Sequence, residues 1–154
     1  MTNGLQIGVL TVSDTRTLEN DTSGQYLCDS LLEEGHILAQ RRIVIDDMYQ
    51  LRAAVSNWIA ESAIEVVLVT GGTGFTSRDS TPEALTPLFD TDIIGFGELF
   101  RQLSYQEIGT STIQSRAFAG IANNTVVFCM PGSTGACKTA WNGVLKDQLN
   151  IEHR

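Results

Sequence analysis

The apolar run from Val66 to Val69, which is mostly β-branched, is the feature of this sequence that most limits its possible folds. A strand that is apolar on both faces belongs in a sheet that is covered on both sides, as parallel strands are. Gly71, Gly72 and Gly74 follow the run almost directly and predict a turn at its carboxyl end. We therefore expect a mainly parallel sheet with helices packed on it.

Apolar strands and amphipathic helices alternate along the rest of the chain, which is typical of an α/β protein. The helical repeat is clearest in residues 51–59, where apolar side chains recur at i, i+3, i+4, i+7 and i+8. We predict a three-layer α/β sandwich with a mainly parallel sheet, in one domain that spans residues 1–154. The predicted strands are residues 5–12, 37–45, 66–69 and 125–130. The predicted helices are residues 21–34, residues 51–59, a helix that begins at about Thr81 with Ser80 or Thr81 as its cap, a helix that begins near Gly97, and residues 136–149.

The composition excludes several classes of protein. Apolar residues make up 42% of the chain and charged residues 18%, which is incompatible with a disordered chain. The net charge of −8 repels phosphates and argues against a general nucleic-acid binder. No apolar run approaches the roughly 18 residues that span a bilayer, and residues 1–4 lack the basic and apolar regions of a signal peptide. We expect a cytoplasmic protein that binds neither nucleic acid nor membrane.

The cysteines and histidines do not have the spacing of a disulfide framework or a zinc site. Cys28, Cys129 and Cys137 are far apart in the sequence and form no CxxC pair. His36 and His153 are the only histidines. We expect three reduced thiols, and we expect His36 to lie in a turn at the surface.

Charge is unevenly distributed along the chain. Between Gly109 and Leu145 only Arg116 and Lys138 are charged. Most of this stretch cannot be ordinary solvated surface, so it must line a core, a pocket or a subunit contact. A homo-oligomer is therefore expected.

The loop from Gly71 to Glu83 has the features of an anion-binding site at the carboxyl end of a strand, where ligands bind in open α/β sheets. Its glycines allow close approach of a ligand to backbone N–H groups, although a plain tight turn would use the same residues. Arg78 can neutralise phosphate, and Asp79 can hold Mg²⁺. Asp46 or Asp47, which follow the neighbouring strand, could supply a second carboxylate while the other caps the next helix.

The segment from Gly132 to Thr139 nearly matches the P-loop pattern of nucleotide-binding proteins. Cys137 stands in place of the second glycine, which must lack a Cβ for the backbone to wrap around phosphates. No apolar strand ends in the acidic residue that a P-loop enzyme uses to hold magnesium. A turn from Pro131 to Ser133 into the last helix explains the segment better, and a P-loop is the alternative.

Taken together, these loops resemble the MoaB/MogA family of molybdenum cofactor biosynthesis proteins, whose fold recurs in the G domain of gephyrin. The resemblance extends from about Ile7 to Leu149. It is closest to the MoaB branch, through residues 109–112 and 119–131. The motifs that carry it are Gly71-Gly72-Thr73-Gly74 continuing to Arg78-Asp79-Ser80-Thr81-Pro82-Glu83, Ser13-Asp14, Asp21-Thr22-Ser23-Gly24, Gly95-Phe96-Gly97-Glu98, Ser115-Arg116 and Pro131-Gly132-Ser133.

The resemblance implies that the protein uses Mg-ATP to adenylylate molybdopterin, with release of pyrophosphate. It implies that Asp46 and Asp79 are the catalytic and Mg²⁺-binding residues. It also implies that the protein forms a homotrimer or a homohexamer. Other molybdenum cofactor biosynthesis proteins are further candidate partners. A catalytically silent scaffold that binds pterin or nucleotide is the alternative within the same family. The residues implied to line the pocket for ATP and molybdopterin are Ser13, Asp14, Asp21, Gly71, Gly72, Thr73, Gly74, Arg78, Glu83, Ser115, Arg116, Pro131, Gly132 and Ser133.

Overall fold

The structure is a computed structural model that describes residues 4–61 and 63–150. Residues 1–3, which bear on the signal-peptide prediction, and His153 lie outside these ranges. The strands are β1 (Gln6–Val12), β2 (Ile37–Val44), β3 (Val66–Thr70), β4 (Thr91–Asp92), β5 (Phe118–Ala122) and β6 (Thr125–Met130). The α-helices are α1 (Thr22–Glu33), α2 (Met48–Ala60), α3 (Thr81–Leu85), α4 (Ile94–Ile108), α5 (Thr134–Ala140) and α6 (Lys146–Gln148), with 3₁₀ turns at Thr86–Leu88 and Gly109–Gln114 and a π-helical turn at Trp141–Leu145.

The strands form one six-stranded sheet in the order β2-β1-β3-β6-β5-β4. The first four of these are parallel, whereas β5 is antiparallel to both of its neighbours. This confirms the mainly parallel sheet. The central strands β1, β3 and β6 carry the apolar runs that the sequence shows, because they are covered on both faces.

Helices cover both faces of the sheet, which confirms the three-layer sandwich. Successive side chains of β3 enter opposite cores: Leu68 packs with α1, α4 and α5, while Val67 packs with α2 and α3. Trp58 and Trp141, which are 2% and 3% exposed, belong to these two cores, as their positions on apolar helix faces predict. Within the described part of the chain, no helix has the length and apolar character needed to cross a bilayer.

The sequence prediction missed β4 and β5. The strand β5 has the sequence Phe-Ala-Gly-Ile-Ala, and alanine and glycine have low strand propensity. It forms because it pairs with β6 through a two-residue turn in which Asn123 and Asn124 have φ angles of 50° and 64°. Positive φ at both central residues is what a hairpin turn of this kind requires.

Three helices begin earlier than predicted. Helix α2 begins at Met48 rather than at Leu51, and helix α4 begins at Ile94 rather than near Gly97. The last helical segment begins at Thr134, where Ser133 Oγ accepts a hydrogen bond of 3.1 Å from the backbone N–H of Ala136. The P-loop alternative is therefore wrong, because the residues that would wrap around phosphates are helical.

The prediction that His36 lies at the surface is wrong, since this side chain is only 7% exposed. Its Nδ1 accepts a hydrogen bond of 3.1 Å from the backbone N–H of Leu5. Parallel pairing of β1 with β2 brings the turn before β2 against the start of β1, as the 2.9 Å bond from Ile37 N–H to Leu5 O shows. The sequence pattern around one turn does not reveal such a contact.

All three cysteines are free thiols and are buried, which agrees with the expectation of reduced thiols. Burial raises the pKa of the Cys28 and Cys137 thiols to about 11. Burial also raises the pKa of Cys129 well above its usual value. These thiols are therefore poor nucleophiles at neutral pH, because the thiolate is the reactive form.

The low-charge stretch from Gly109 to Leu145 supplies β5, β6 and α5, and much of it lies in the core. Its first part is different. Ile113 is 74% exposed, and Tyr105 and Ile108 on the preceding helix are 57% and 58% exposed. These apolar side chains at the surface are compatible with a subunit contact, which stays a prediction.

Candidate functional site

The candidate site lies where three polar loops meet at the carboxyl ends of β1, β2 and β3. We call residues 71–80, which join β3 to α3, the glycine loop. Hydrogen bonds connect this loop to the other two: Ser80 donates to Asp46, and Arg78 donates to Asp14. The backbone N–H of Asp46 in turn donates to Asp14 Oδ1 at 3.0 Å. The parallel sheet therefore brings together residues that are more than thirty positions apart.

The adjacent aspartates after β2 have different roles. Asp47 caps α2, since its Oδ1 accepts hydrogen bonds from the N–H groups of Tyr49 and Gln50 at 2.8 and 3.1 Å. Asp46 is 9% exposed and faces the glycine loop, where its Oδ1 accepts from both the N–H of Ser80 at 3.1 Å and its hydroxyl at 2.5 Å. Asp47 is therefore the capping residue, and that Asp46 supplies a carboxylate for Mg²⁺ stays a prediction.

Asp79 is held within the glycine loop itself. Its Oδ2 accepts hydrogen bonds from the N–H and the hydroxyl of Thr76 at 2.9 and 2.7 Å. A Cβ on Gly74 would stand 2.7 Å from this oxygen. Any side chain at position 74 would therefore displace the Asp79 carboxylate.

Asp46 and Asp79 each keep one carboxylate oxygen free. Within residues 4–61 and 63–150, Asp46 Oδ2 and Asp79 Oδ1 accept no hydrogen bond. A Cβ on Gly72 would stand 2.1 Å from Thr81 Oγ1 and 3.0 Å from Asp46 Oδ2, so only glycine fits at this position beside the carboxylate. That the two oxygens bind a ligand stays a prediction.

The donor set fits a magnesium site that substrate completes. No group of three or more His, Cys, Asp or Glu side chains that could hold a metal occurs among the described residues. Mg²⁺, however, is commonly bound by one or two carboxylates together with substrate phosphates and water. Asp46 and Asp79 supply two carboxylates with free oxygens at one edge of the sheet. That they share one ion stays a prediction.

The backbone of the glycine loop is suited to bind an anion. Gly71 and Gly72 have φ angles of 112° and 72°, which favour glycine. The N–H groups of Gly72, Thr73 and Gly74 have no acceptor in the part of the chain that the structure describes. Consecutive free N–H groups in such a turn can donate to phosphate oxygens.

Arg78 and Asp14 form an ion pair at the surface of the site. Arg78 Nε and Nη2 donate to the two Asp14 oxygens at 3.0 and 2.8 Å. The Arg78 guanidinium lowers the pKa of the Asp14 carboxyl, and the N–H of Asp46 adds to this effect. Asp14 in turn raises the pKa of Arg78. Because an exposed ion pair has a small net free energy, Arg78 can exchange Asp14 for a phosphate at little cost.

Arg116 supports the glycine loop from the direction of β5. Its Nε donates to Gly74 O at 2.9 Å and its Nη2 to Asp79 O at 3.2 Å. It also forms an ion pair with Glu83 and stacks on the ring of Phe75, 4.9 Å from the ring centroid. Arg116 and Glu83 therefore fix the shape of the loop through protein contacts.

The serines predicted to line the pocket are engaged with their own loops. Ser13 Oγ accepts from the N–H of Thr15 at 3.2 Å and from that of Arg16 at 3.0 Å. Ser115 Oγ accepts from Ala117 N–H at 3.3 Å. Ser13 adjoins Asp14 and thus lies at the site, whereas Ser133 caps α5 as described above.

Pro131 and Gly132 lie beside the first residues of the glycine loop. Pro131 O accepts a hydrogen bond of 2.9 Å from Thr70 Oγ1 at the end of β3. A Cβ on Gly132 would stand 3.3 Å from the Cα of Gly71. These two residues therefore pack against the start of the loop through backbone atoms.

Asp21, also predicted to line the pocket, is the N-cap of α1 and is 2% exposed. Its carboxylate accepts from the N–H of Gly24 at 3.0 Å, from Thr11 Oγ1 at 2.6 Å and from Arg41 Nη2 at 3.3 Å. These contacts join α1 to β1 and β2. The structure gives Asp21 a structural environment, and its contact with a ligand stays a prediction.

Two hydroxyl residues of the site are not evident from the sequence. The sequence predicts a helix cap at Ser80 or Thr81, but the side chain of Ser80 makes no capping bond and donates to Asp46 instead. The other residue is Thr76, whose N–H and hydroxyl donate to Asp79. Hydroxyl residues on both sides of Asp79 are the signal in the sequence that could have indicated these contacts.

Comparisons with known proteins show the family to which this chain belongs. Residues 8–150 match the family model described as "Probable molybdopterin binding domain". The chain is 56% identical over 149 residues to Molybdenum cofactor biosynthesis protein B of Escherichia coli (strain K12), covering 97% of this chain and 88% of that protein.

Solved structures give the same result. The fold is similar to a crystal structure of Molybdenum cofactor biosynthesis protein B, with a TM-score of 0.93, 45% identity and coverage of 97% of this chain and 93% of that one. It is also similar to the tungsten cofactor synthesizing protein MoaB from Pyrococcus furiosus, with a TM-score of 0.85, 37% identity and coverage of 99% and 97%.

Proposed function

Since this chain belongs to the family of probable molybdopterin-binding domains and has a role in molybdenum cofactor biosynthesis, we propose that it adenylylates molybdopterin with Mg-ATP and releases pyrophosphate. The observation that carries this proposal is the placement of Asp46 and Asp79. Two separate loops bring these residues to the carboxyl end of the sheet, where each has one carboxylate oxygen that accepts no hydrogen bond from the described residues.

The proposed reaction needs no nucleophile from the protein. An oxygen of the terminal phosphate of molybdopterin attacks the α-phosphorus of ATP, the bond from that phosphorus to the bridging oxygen breaks, and pyrophosphate leaves. Several negative charges come together, so catalysis consists mainly of positioning and charge neutralisation. Mg²⁺ bound by Asp46 and Asp79 would supply part of that neutralisation.

The remaining residues of the site have roles that their contacts support. The free N–H groups of Gly72, Thr73 and Gly74 donate to phosphate oxygens of the substrates. Arg78 leaves Asp14 and binds phosphate, for which its planar guanidinium is well suited. Arg116 keeps the loop in shape through Gly74 O.

The test is pyrophosphate release from Mg-ATP and molybdopterin by the parent and by Asp79→Asn. Asparagine keeps an oxygen that accepts from Thr76 but removes the charge that binds Mg²⁺. We expect kcat to fall by roughly a hundredfold or more, while pterin affinity, measured in parallel, changes far less.

Asp47→Asn is the matched control, because it makes the same chemical change beside the other candidate carboxylate. Asparagine is as good a helix cap as aspartate, so this variant should keep the rate of the parent. Equal rates for the parent and Asp79→Asn would show that Asp79 only shapes the loop. A parent that binds pterin and releases no pyrophosphate would be the silent scaffold.

We also propose that the protein is a homotrimer or a homohexamer. The exposed apolar side chains Tyr105, Ile108 and Ile113 support a contact at this surface. Light scattering at micromolar concentration should give the mass of three or six chains. A stable monomer would contradict the proposal.

A further inference from the structure

A cavity of about 600 Å³ lies beside the candidate site, at the outer edge of the sheet. It is lined by residues 13–18, which follow β1, and by residues 41–43 and 45 at the end of the edge strand β2. Asp14 belongs both to this lining and to the ion pair with Arg78 of the glycine loop. The cavity is therefore continuous with the rim of the candidate site.

Three arginines line this cavity, in a chain whose net charge is −8. Arg41 is paired with Asp21, but Arg16 and Arg42 form no ion pair with any described residue. Asp14 is the one carboxylate in the lining, and Arg78 already neutralises it. The cavity is thus a positively charged region on an acidic protein, and such a region attracts anions.

Most hydrogen-bond donors of Arg16 and Arg42 are unused. The side chain of Arg42 makes no hydrogen bond within the described part of the chain, and that of Arg16 makes one, from Nη1 to Asn20 O at 2.6 Å. Both arginines are exposed. Arg52 and Arg101, by contrast, donate to backbone carbonyls. A guanidinium with free N–H groups is well suited to bind two phosphate oxygens at once.

The edge strand offers a second explanation for part of this cluster. Charged side chains on an edge strand discourage pairing with another sheet, and Arg42 fits that role. Arg16 does not, because it lies on the loop between β1 and α1. Two unpaired arginines from different segments line one cavity beside the candidate site, which favours an anionic ligand.

We propose that this cavity is an anion subsite, in which Arg16 and Arg42 bind the β- and γ-phosphates of ATP. The inference rests on the function proposed above, in which these two phosphates leave as pyrophosphate. Ile45 of the lining directly precedes Asp46, so phosphates that extend past Asp46 from the glycine loop reach the cavity. The subsite adds affinity for ATP and takes no part in the chemical step.

The test measures the binding of inorganic pyrophosphate to the full chain by isothermal titration calorimetry. The double variant Arg16→Gln/Arg42→Gln removes both charges and keeps polar side chains at both positions. We expect it to bind pyrophosphate at least about tenfold more weakly than the parent. In steady-state assays its KM for ATP should rise by a similar factor with little change in kcat, as happens when substrate and transition state lose the same contact.

Lys146→Gln is the matched control, because it removes a positive charge from an exposed side chain outside the cavity. It should bind pyrophosphate as the parent does. An equal loss of affinity in Lys146→Gln and in the single variant Arg42→Gln would show a general effect of net charge and would overturn the subsite. Thermal unfolding midpoints show whether every variant is folded.

AMP distinguishes the terminal phosphates of ATP from the phosphate next to the sugar. It carries only the latter, so the parent and the double variant should bind AMP equally. If the double variant loses affinity for AMP as strongly as for pyrophosphate, the assignment of the cavity to the terminal phosphates is wrong.

The remaining outcomes separate this inference from the proposed function. If the parent binds no pyrophosphate, or if the double variant binds it as tightly as the parent, the subsite is overturned and the proposed function is unaffected. If the double variant loses pyrophosphate affinity while the parent releases no pyrophosphate from Mg-ATP and molybdopterin, the anion subsite stands and the proposed reaction is wrong.

Discussion

The segments that follow the neighbouring parallel strands β3 and β6 both begin at the carboxyl end of the sheet. Each has a serine at the N-cap of the helix that follows. After β6, Ser133 uses its hydroxyl to accept a hydrogen bond from the first turn of α5. After β3, Ser80 makes no such bond and donates to Asp46 instead. The short turn stabilises its helix, whereas the long glycine loop uses the same residue type to hold a carboxylate.

The difference has a cost in local conformation. The glycine loop requires positive φ at Gly71 and Gly72, whereas Gly132 in the short turn does not have a positive φ. Among the described residues, several N–H groups of the loop have no acceptor, and such groups in a turn can bind an anion. We therefore expect substitutions in the loop to affect the proposed function and substitutions in the turn to affect stability, and the variants below test this separation.

Gly72→Ala should have the largest effect. Its Cβ would stand 2.1 Å from Thr81 Oγ1 and 3.0 Å from Asp46 Oδ2, at a φ of 72°. We expect the free energy of unfolding to fall by about 1–3 kcal/mol or more, with loss of pyrophosphate release. Chemical denaturation and the pyrophosphate assay measure the two effects.

Gly135→Ala is the matched change at the other connection. No atom lies within 4 Å of the position its Cβ would take, and the residue is helical. The free energy of unfolding should rise by up to about 1 kcal/mol, with activity unchanged. Similar destabilisation by both substitutions would show that the two connections are equally constrained.

Ser133→Ala should have an intermediate effect. Loss of the cap on α5 lowers the free energy of unfolding by about 1 kcal/mol, but Mn²⁺ binding should remain as in the parent. Asp79→Asn should show the reverse: weaker binding of Mn²⁺, used as a probe for Mg²⁺, with a smaller change in stability. If Ser133→Ala weakens Mn²⁺ binding as strongly as Asp79→Asn, the separation between loop and turn is wrong.

The smallest effect concerns the Asp14–Arg78 pair at the rim of the glycine loop. Arg78 lowers the pKa of the Asp14 carboxyl below its ordinary value of 3.8. The pair therefore stabilises the folded protein at pH values above the pKa that Asp14 has in the unfolded chain. This contribution is lost as the pH falls through the lower pKa that Asp14 has in the folded protein.

NMR titration of the Asp14 carboxyl should therefore give a midpoint below 3.8. In Arg78→Ala, the midpoint should move upward. The pair is exposed, so the free energy of unfolding should change little. An unchanged midpoint in Arg78→Ala would show that the two side chains do not pair in solution.

The sequence predicts those parts of the fold in which local pattern and burial agree. Strand β3 and the glycine loop could be predicted from the sequence. An apolar run that several glycines follow is typical of a buried parallel strand that ends in a turn. Strand β5 could not be, since its alanines and glycine form a strand only by pairing with β6.

Contacts between loops were the least predictable part of the site. That one of Asp46 and Asp47 caps α2 followed from the sequence, because capping is local. The bond from Ser80 to Asp46 joins residues that only the sheet brings together, and the burial of His36 depends on strand pairing in the same way. Sequence spacing carries no information about either contact.

The support that Arg116 gives to the glycine loop also has a consequence for the order of folding. Asp14, Asp46 and Asp79 all precede Arg116 in the chain, and β6, which pairs with β3, comes later still. A ribosome therefore makes every carboxylate of the site before it makes the residues that hold the loop in place. The glycine loop can assume its final form only when the β5–β6 hairpin has been synthesised and has joined the sheet, so the candidate site is completed late in the biogenesis of this protein.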